Sequence, residues 1–251
     1  MSSAPLLKSL TKAGIGPRRQ LADIIRQGRV EVNGKVVEDY SYPLNVEIDR
    51  ISIDKRPVDL KPKQKVYLML NKPRGVMSTT SDERGRPTVI DILPEKYRNL
   101  RLYPVGRLDK ESTGLLLLTN DGELTQRLTH PSFEHEKEYL VSINARLKEN
   151  ERRSLERGLK LADGLTHRAI VKEADVRPFD YSITIHEGRK RQVRRMFEHL
   201  GHRVLALRRV RIGSIQMGDL REGKVRKLSR REIQTLLADK ANYAESSSHR
   251  Q

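Results

Sequence analysis

The chain has 251 residues, and 50 lysines and arginines against 33 acids give a formal charge of +17, more than solubility requires and enough to imply a polyanionic partner. The lack of cysteine excludes disulfides and cysteine-bound zinc; the seven histidines form no metal-binding spacing, and no apolar run reaches the ~18 residues that span a bilayer. Only 4% of residues are aromatic and none is Trp, which disfavours an aromatic stacking sheet and leaves charge and shape as the basis of recognition. A soluble, cytoplasmic protein without metal or cofactor is expected, with no membrane partner.

From the N-terminus, Leu6, Leu7 and Leu10 share one face of a short helix after Pro5, with Gly14 where a C-terminal cap belongs. A second helix starts near Pro17 and buries Leu21, Ile24 and Ile25; Gly28 ends it. Val30–Val37 then reads as a hairpin, Asn33-Gly34 supplying the two positive-φ positions of a type I′ turn. Val46–Ile53 is expected to be strand-like. Two short helices and a tight hairpin, in the form RQLADIIRQGRVEVNGKVV, resemble the S4 RNA-binding domain. The resemblance implies that Arg18, Arg19, Arg26 and Arg29 contact phosphates, adding affinity more than specificity.

Asp59–Lys65 has the polar, Pro-containing composition of a linker. Three segments are therefore expected: residues 1–62 as the first domain with its linker, 63–240 as a second domain, and a disordered tail over 241–251.

Val66–Leu70 is expected as a strand and Asn71–Gly75 as a turn in which Lys72 and Arg74 are candidates for phosphate contact. Thr79–Pro87 reads as a mobile loop. Gly106–Gly114 is a Gly-bounded loop with a single carboxylate, Asp109, feeding straight into the apolar run Leu115–Leu118; this is how one acid is held rigidly yet reachable from solvent. A helix follows near Glu123. Lys137–Val141 alternates as a half-buried strand containing Tyr139. Further on, Val193, Met196, Phe197 and Leu200 mark the buried face of a helix stopped by Gly201, with Arg194 at the border of that face and Arg191 and Arg195 pointing away.

The run PVGRLDKESTGLLLLTNDGEL from Pro104 closely resembles the signature around the catalytic aspartate of RNA pseudouridine synthases, in the branch that modifies ribosomal RNA and carries an S4-type domain. LNKPRGVMST, KEYLV and EGRKRQVRRM match further motifs of that family, and the resemblance covers about Leu6 to Leu237. It implies an α+β chain: a small S4-type helix-helix-hairpin domain, then a synthase domain with a curved mixed or antiparallel sheet flanked by helices. It also implies an isomerase needing no cofactor, acting as a monomer on ribosomal RNA or a ribosomal assembly intermediate. The stretch GRKRQVRRMFEHLGHRVLALRRVRIG is most similar to enzymes of the large-subunit (23S) rRNA, with small-subunit (16S) enzymes and a non-catalytic assembly factor as alternatives.

By the same resemblance, Asp109 acts on the ribose, either as nucleophile at C1′ or as base at C2′. Arg194 is its guanidinium partner, able to pair bidentately and to favour the ionised acid. Tyr139 stacks on the flipped uracil and assists removal of the C5 proton. Arg107 fills the gap left by the extruded base or holds a phosphate. Arg189, Lys190, Arg191 and Arg195, with Arg208, Arg209 and Arg211 beyond, read as phosphate-binding surface.

Overall fold

A computed structural model describes residues 3–61, 64–130 and 135–238. The chain divides into two compact units, one holding the residues up to Lys65 together with Asn120–Gly122, the other Val66–Thr119 and the chain from Glu123 onward. Positions 62 and 63 of the expected linker, and the tail from Ala241, lie outside the described residues.

In the first unit, β1 (Ala4–Pro5) leads into α1 (Leu6–Lys12), followed by α2 (Arg18–Arg26), β2 (Val30–Val32), β3 (Lys35–Val36), β4 (Pro43–Leu44), β5 (Ile51–Ile53) and β6 (Arg56–Val58). The β2–β3 turn has positive φ at both Asn33 and Gly34, as a type I′ turn requires. Strands run in the order β3-β2-β5-β6, and β1 pairs with β4. Leu6, Leu10, Leu21, Ile25, Val30 and Ile51 close the core. Ile24 is only partly buried. The expected strand over Val46–Ile53 shrinks to Ile51–Ile53. Val46–Ile48 turn instead, because the Asn45 side chain accepts from the Glu47 amide at 3.1 Å and Asp49 accepts from the Asn45 amide at 2.8 Å.

The second unit comprises β7 (Tyr67–Lys72), α3 (Glu95–Arg98), β8 (Tyr103–Val105), β9 (Thr113–Thr119), α4 (Gly122–Thr129), β10 (Lys137–Ile143), α5 (Glu149–Arg157), β11 (Lys160–Leu161), β12 (Gly164–Leu165), β13 (Ile170–Glu173), β14 (Tyr181–Ile185), α6 (Gln192–His199), β15 (Val204–Ile212), β16 (Ile215–Gln216), β17 (Val225–Lys227) and α7 (Arg230–Ala238). One mixed sheet runs β13-β14-β10-β15-β9-β7-β17, with β16 on β15 and β8 on β9. Only the β15–β9 pairing is parallel among the named ladders.

The central strands are apolar on both faces because both faces are covered. Leu116 and Leu118 of β9 pack into one cluster with Val193, Met196 and Phe197 of α6, whereas Leu115 and Leu117 enter a second cluster with Leu124 and Leu128 of α4 and Leu236 of α7. An uninterrupted leucine run is the sequence of such a strand. Thr79–Pro87, expected to be a mobile loop, is laced by Arg86, whose Nη2 and Nε reach Asp82 at 2.6 and 3.1 Å.

Candidate active site

Asp109 lies in the connection between β8 and β9, and the backbone around it is anchored at every step. The Leu108 carbonyl accepts from Ser78 Oγ at 2.9 Å, that of Asp109 from the Ser112 amide at 3.1 Å, and that of Lys110 from the Gly75 amide at 2.9 Å. The Glu111 carbonyl accepts from Arg194 Nη2 at 3.4 Å and the Ser112 carbonyl from Lys72 Nζ at 2.9 Å. Five consecutive carbonyls are thus engaged, while Leu108 is buried beneath. Half-buried Asp109 lines a cavity of about 450 Å³, a size suited to a small ligand. Asp109 shares this cavity with Arg107, Lys137, Tyr139, Arg191 and Arg209.

Lys72 overturns one expectation. The strand β7 continues through it, so it is fully buried rather than placed on a solvated turn, and it cannot meet a phosphate. Its Nζ donates to the carbonyls of Pro73 and Ser112, each at 2.9 Å. Burial lowers its pKa to about 8, against the raising influence of Glu111 and Asp109. Arg74, by contrast, is exposed and pairs with Glu111 at 2.6 Å.

Arg194 is 7% exposed in α6, consistent with a position at the border of the apolar face. It makes no ion pair with Asp109 within 4 Å among the described residues. Its guanidinium instead donates to the carbonyls of Val204 at 3.1 Å and Glu111 at 3.4 Å, so the expected bidentate pair is replaced by a bridge to the loop two residues past the acid. Burial and the nearby Arg191 charge lower its pKa, and the Asp109 charge opposes them.

Tyr139, 8% exposed, faces the cavity from β10. Opposite it in the ladder sits Arg209, with its guanidinium carbon 6.0 Å from the ring centroid and Nη1 3.5 Å from the hydroxyl. Arg209 and Arg211 were expected to line one phosphate-binding surface. A bulge interrupts the register, Glu138 pairing with Arg211 and Tyr139 with Arg209, so that Val210 is the extra residue. Arg209 therefore turns inward, 3% exposed, and its Nε reaches the Leu115 carbonyl at 2.8 Å. Arg211 turns to the other face and is neutralised by Glu136 and Glu138, each at 2.8 Å.

The remaining basic residues divide by what already occupies them. Arg189 pairs with Glu187 at 2.8 Å and donates to the carbonyls of Asp163, Gly164 and Leu165, which clasps the β11–β12 turn and leaves little for a phosphate. Arg195 pairs with Asp163 at 2.7 Å. Arg208 is half-buried, its Nε enclosed without an acceptor. Arg107 and Arg191 are exposed and line the cavity, Lys190 is exposed, and Arg191, 3.6 Å from Glu198, holds a left-handed φ of 52° at the start of α6. In the first unit Arg18 and Arg19 are exposed, Arg26 lies 5.7 Å from the Tyr40 ring, and Arg29 is clamped by Asp54 at 2.6 Å.

Residues 66–199 match the RNA pseudouridylate synthase family, and residues 5–48 match the S4 domain. The chain belongs to the RNA pseudouridylate synthases. A Bacillus subtilis protein named ribosomal large subunit pseudouridine synthase B is 38% identical over 93% of this chain and 95% of its own length. One of that name from Vibrio cholerae is 43% identical over 85% of this chain and 67% of its own. A Mycobacterium leprae protein described as an uncharacterized RNA pseudouridine synthase is 42% identical over 92% of this chain and 91% of its own. A solved pseudouridylate synthase superposes with a TM-score of 0.67 at 33% identity, covering 93% of this chain and all of the other. For a synthase, the cavity holds two basic residues beside Tyr139 that motif reading did not assign to the pocket. Lys137 stands two positions before Tyr139 on the same strand face, so alternation alone could have found it; Arg209 depends on a bulge that no periodicity reveals.

Proposed function

We propose that this protein isomerises a specific uridine of ribosomal RNA, in the large subunit (23S), to pseudouridine, with Asp109, Tyr139 and Arg194 as its reacting and positioning groups. The anchored Asp109 loop carries this reading: a carboxylate with its backbone fixed at five consecutive carbonyls is held for attack on a ribose that is brought to it. Binding the remote phosphates offsets the few kcal/mol of order that unstacking the base costs.

In this reading, Asp109 acts at C1′ or C2′ of the ribose, and the uracil enters the cavity against the ring of Tyr139. Arg194 fixes the loop through the Glu111 carbonyl and sets a positive charge beside it. Arg107, Lys190 and Arg191, with Arg18 and Arg19 of the first unit, are the exposed cations suited to phosphate. The two large-subunit synthases among the relatives, from Bacillus subtilis and Vibrio cholerae, favour the 23S target over the 16S one. The enzyme is read as a cytoplasmic monomer acting on rRNA or an assembly intermediate. Among the described residues no helix is long and apolar enough to cross a membrane.

Chemical mapping of pseudouridines in rRNA from cells with and without the gene tests this. One 23S site lost on deletion, restored by the wild type and not by Asp109→Asn, is expected. A lost 16S site instead would move the target, and no lost site would remove the rRNA reading.

A further inference from the structure

Of the arginines in and around the cavity, Arg189 is matched to Glu187, Arg195 to Asp163, and Arg211 to Glu136 and Glu138. Two of the cations that line it, Lys137 and Arg209, have no such match. Lys137 gives one donor to the His135 carbonyl at 2.9 Å, and no carboxylate pairs with it or with Arg209 among the described residues. Arg209 keeps Nη2 buried without any acceptor. Burial, then the charge of Arg209, brings the Lys137 pKa down to about 8. Enclosed cations without a counter-charge are costly unless an anion joins them during the working cycle.

The reaction creates such an anion. When the C1′–N1 bond breaks, its electron pair leaves on N1 and spreads to the ring oxygens O2 and O4. C1′ either bonds to the Asp109 carboxylate or its sugar loses the C2′ proton to that carboxylate. The ring then turns, C5 bonds to C1′ as the Asp109 bond breaks or the C2′ proton returns, and the C5 proton leaves while N1 gains one. Turning about the N3–C6 axis exchanges N1 with C5 and O2 with O4. A cation beside one oxygen before the turn meets the other after it.

We propose that Lys137 contacts the detached uracil and, with Arg209 behind Tyr139, holds it as an anion through that turn. An ammonium with free donors follows either oxygen, whereas a planar fork bonded to Leu115 keeps a fixed direction. The inference rests on the function proposed above and assigns Lys137 as a further catalytic residue and Arg209 as its companion charge.

The test uses the full-length protein and a 23S rRNA transcript tritiated at uridine C5, in single turnover with enzyme in excess. Lys137→Met is expected to slow tritium release by about 10²-fold, the scale of losing one charge-stabilising donor, with RNA affinity within about 3-fold. Its melting temperature should hold or rise, since a half-buried charge without a carboxylate partner is removed; a purely structural lysine would lower it. Lys137→Arg should recover most of the rate. In the wild type the rate should fall as pH rises through about 8, and this fall should be absent in Lys137→Arg. The other titratable and charged groups lining the cavity are Asp109, Glu187, Tyr139, His130, His135, His167, His186, Arg107, Arg189, Arg191 and Arg209, and all stay the same in that comparison. Wild-type release by Lys137→Met, or the same alkaline fall in Lys137→Arg, overturns the inference alone. No release by the wild type removes the functional reading and this inference with it.

Discussion

Lys72 Nζ lies 2.9 Å from the Ser112 carbonyl, so a buried ammonium on β7 holds the loop that carries Asp109. The contact ties the end of β7 to the residue before β9, at the end of the ladder where Lys72 faces Gly114. Lys72→Met keeps the volume and removes the donors. Turnover should fall by at least about tenfold with RNA affinity unchanged, since misplacement of a reacting group acts on the chemical step. Unchanged single-turnover kinetics would show that the loop is held without it.

The same lysine makes a pH signature in stability. Its pKa is about 8 when folded, below the ordinary lysine value, because burial disfavours its charge. Below pH 8 it is protonated in both states and the penalty is constant; between pH 8 and about 10.5 the unfolded chain binds more protons, so stability rises with pH. The gain is on the order of 3 kcal/mol at most. Urea midpoints of the wild type at pH 8, 9 and 10 should climb relative to those of Lys72→Met, and parallel curves would contradict the assignment.

Gly114 has φ of 102°, and a Cβ there would lie 2.2 Å from the Arg209 carbonyl oxygen. Neither backbone can yield while β9 and β15 stay paired. Gly114→Ala should cost about 2–4 kcal/mol by strain and lost packing, and should disturb Arg209 and Tyr139 together. A wild-type denaturation midpoint would mean that the strands part easily at this point.

Arg194→Lys retains a charge near Asp109 but cannot span the carbonyls of Val204 and Glu111 at once. Activity should drop by about 10²-fold, in the chemical step more than in RNA binding. Full activity would show that charge alone suffices.

Much of this was readable from the chain because local rules and tertiary demands coincide. The leucine run after Asp109 announces a strand covered on both faces, and the i, i+3, i+4 pattern of α6 places Arg194 at the edge of the core. Asn33-Gly34 fixes its turn through backbone sterics. Most of the failures come from hydrogen bonds and ion pairs that periodicity does not register. Lys72 reads as a turn residue because its neighbours are Pro73 and Gly75, yet acceptors nearly 40 positions later draw it inside. Val46–Ile48 has strand composition, but Asn45 takes the Glu47 amide with its side chain and the Ile48 amide with its carbonyl. Arg189 and Arg195 look like free surface charge until Asp163, on another element, claims both.

The bulge at Val210 has a consequence for how this strand can change over time. Its two arginines occupy opposite sides of the sheet because one surplus residue separates the registers on either side. Substitution at Val210 preserves that count; loss of a single codon does not. Loss of Val210 itself would make the two arginines chain neighbours in regular pairing, and alternation would still send them to opposite faces, each opposite its present partner. Regular pairing with all three residues kept would instead bring Arg211 to the Tyr139 side and strand Glu136 and Glu138 without their partner. The strand should therefore accept varied side chains at this position and even its loss, yet reject a shortening anywhere else between the two arginines and the strand ends.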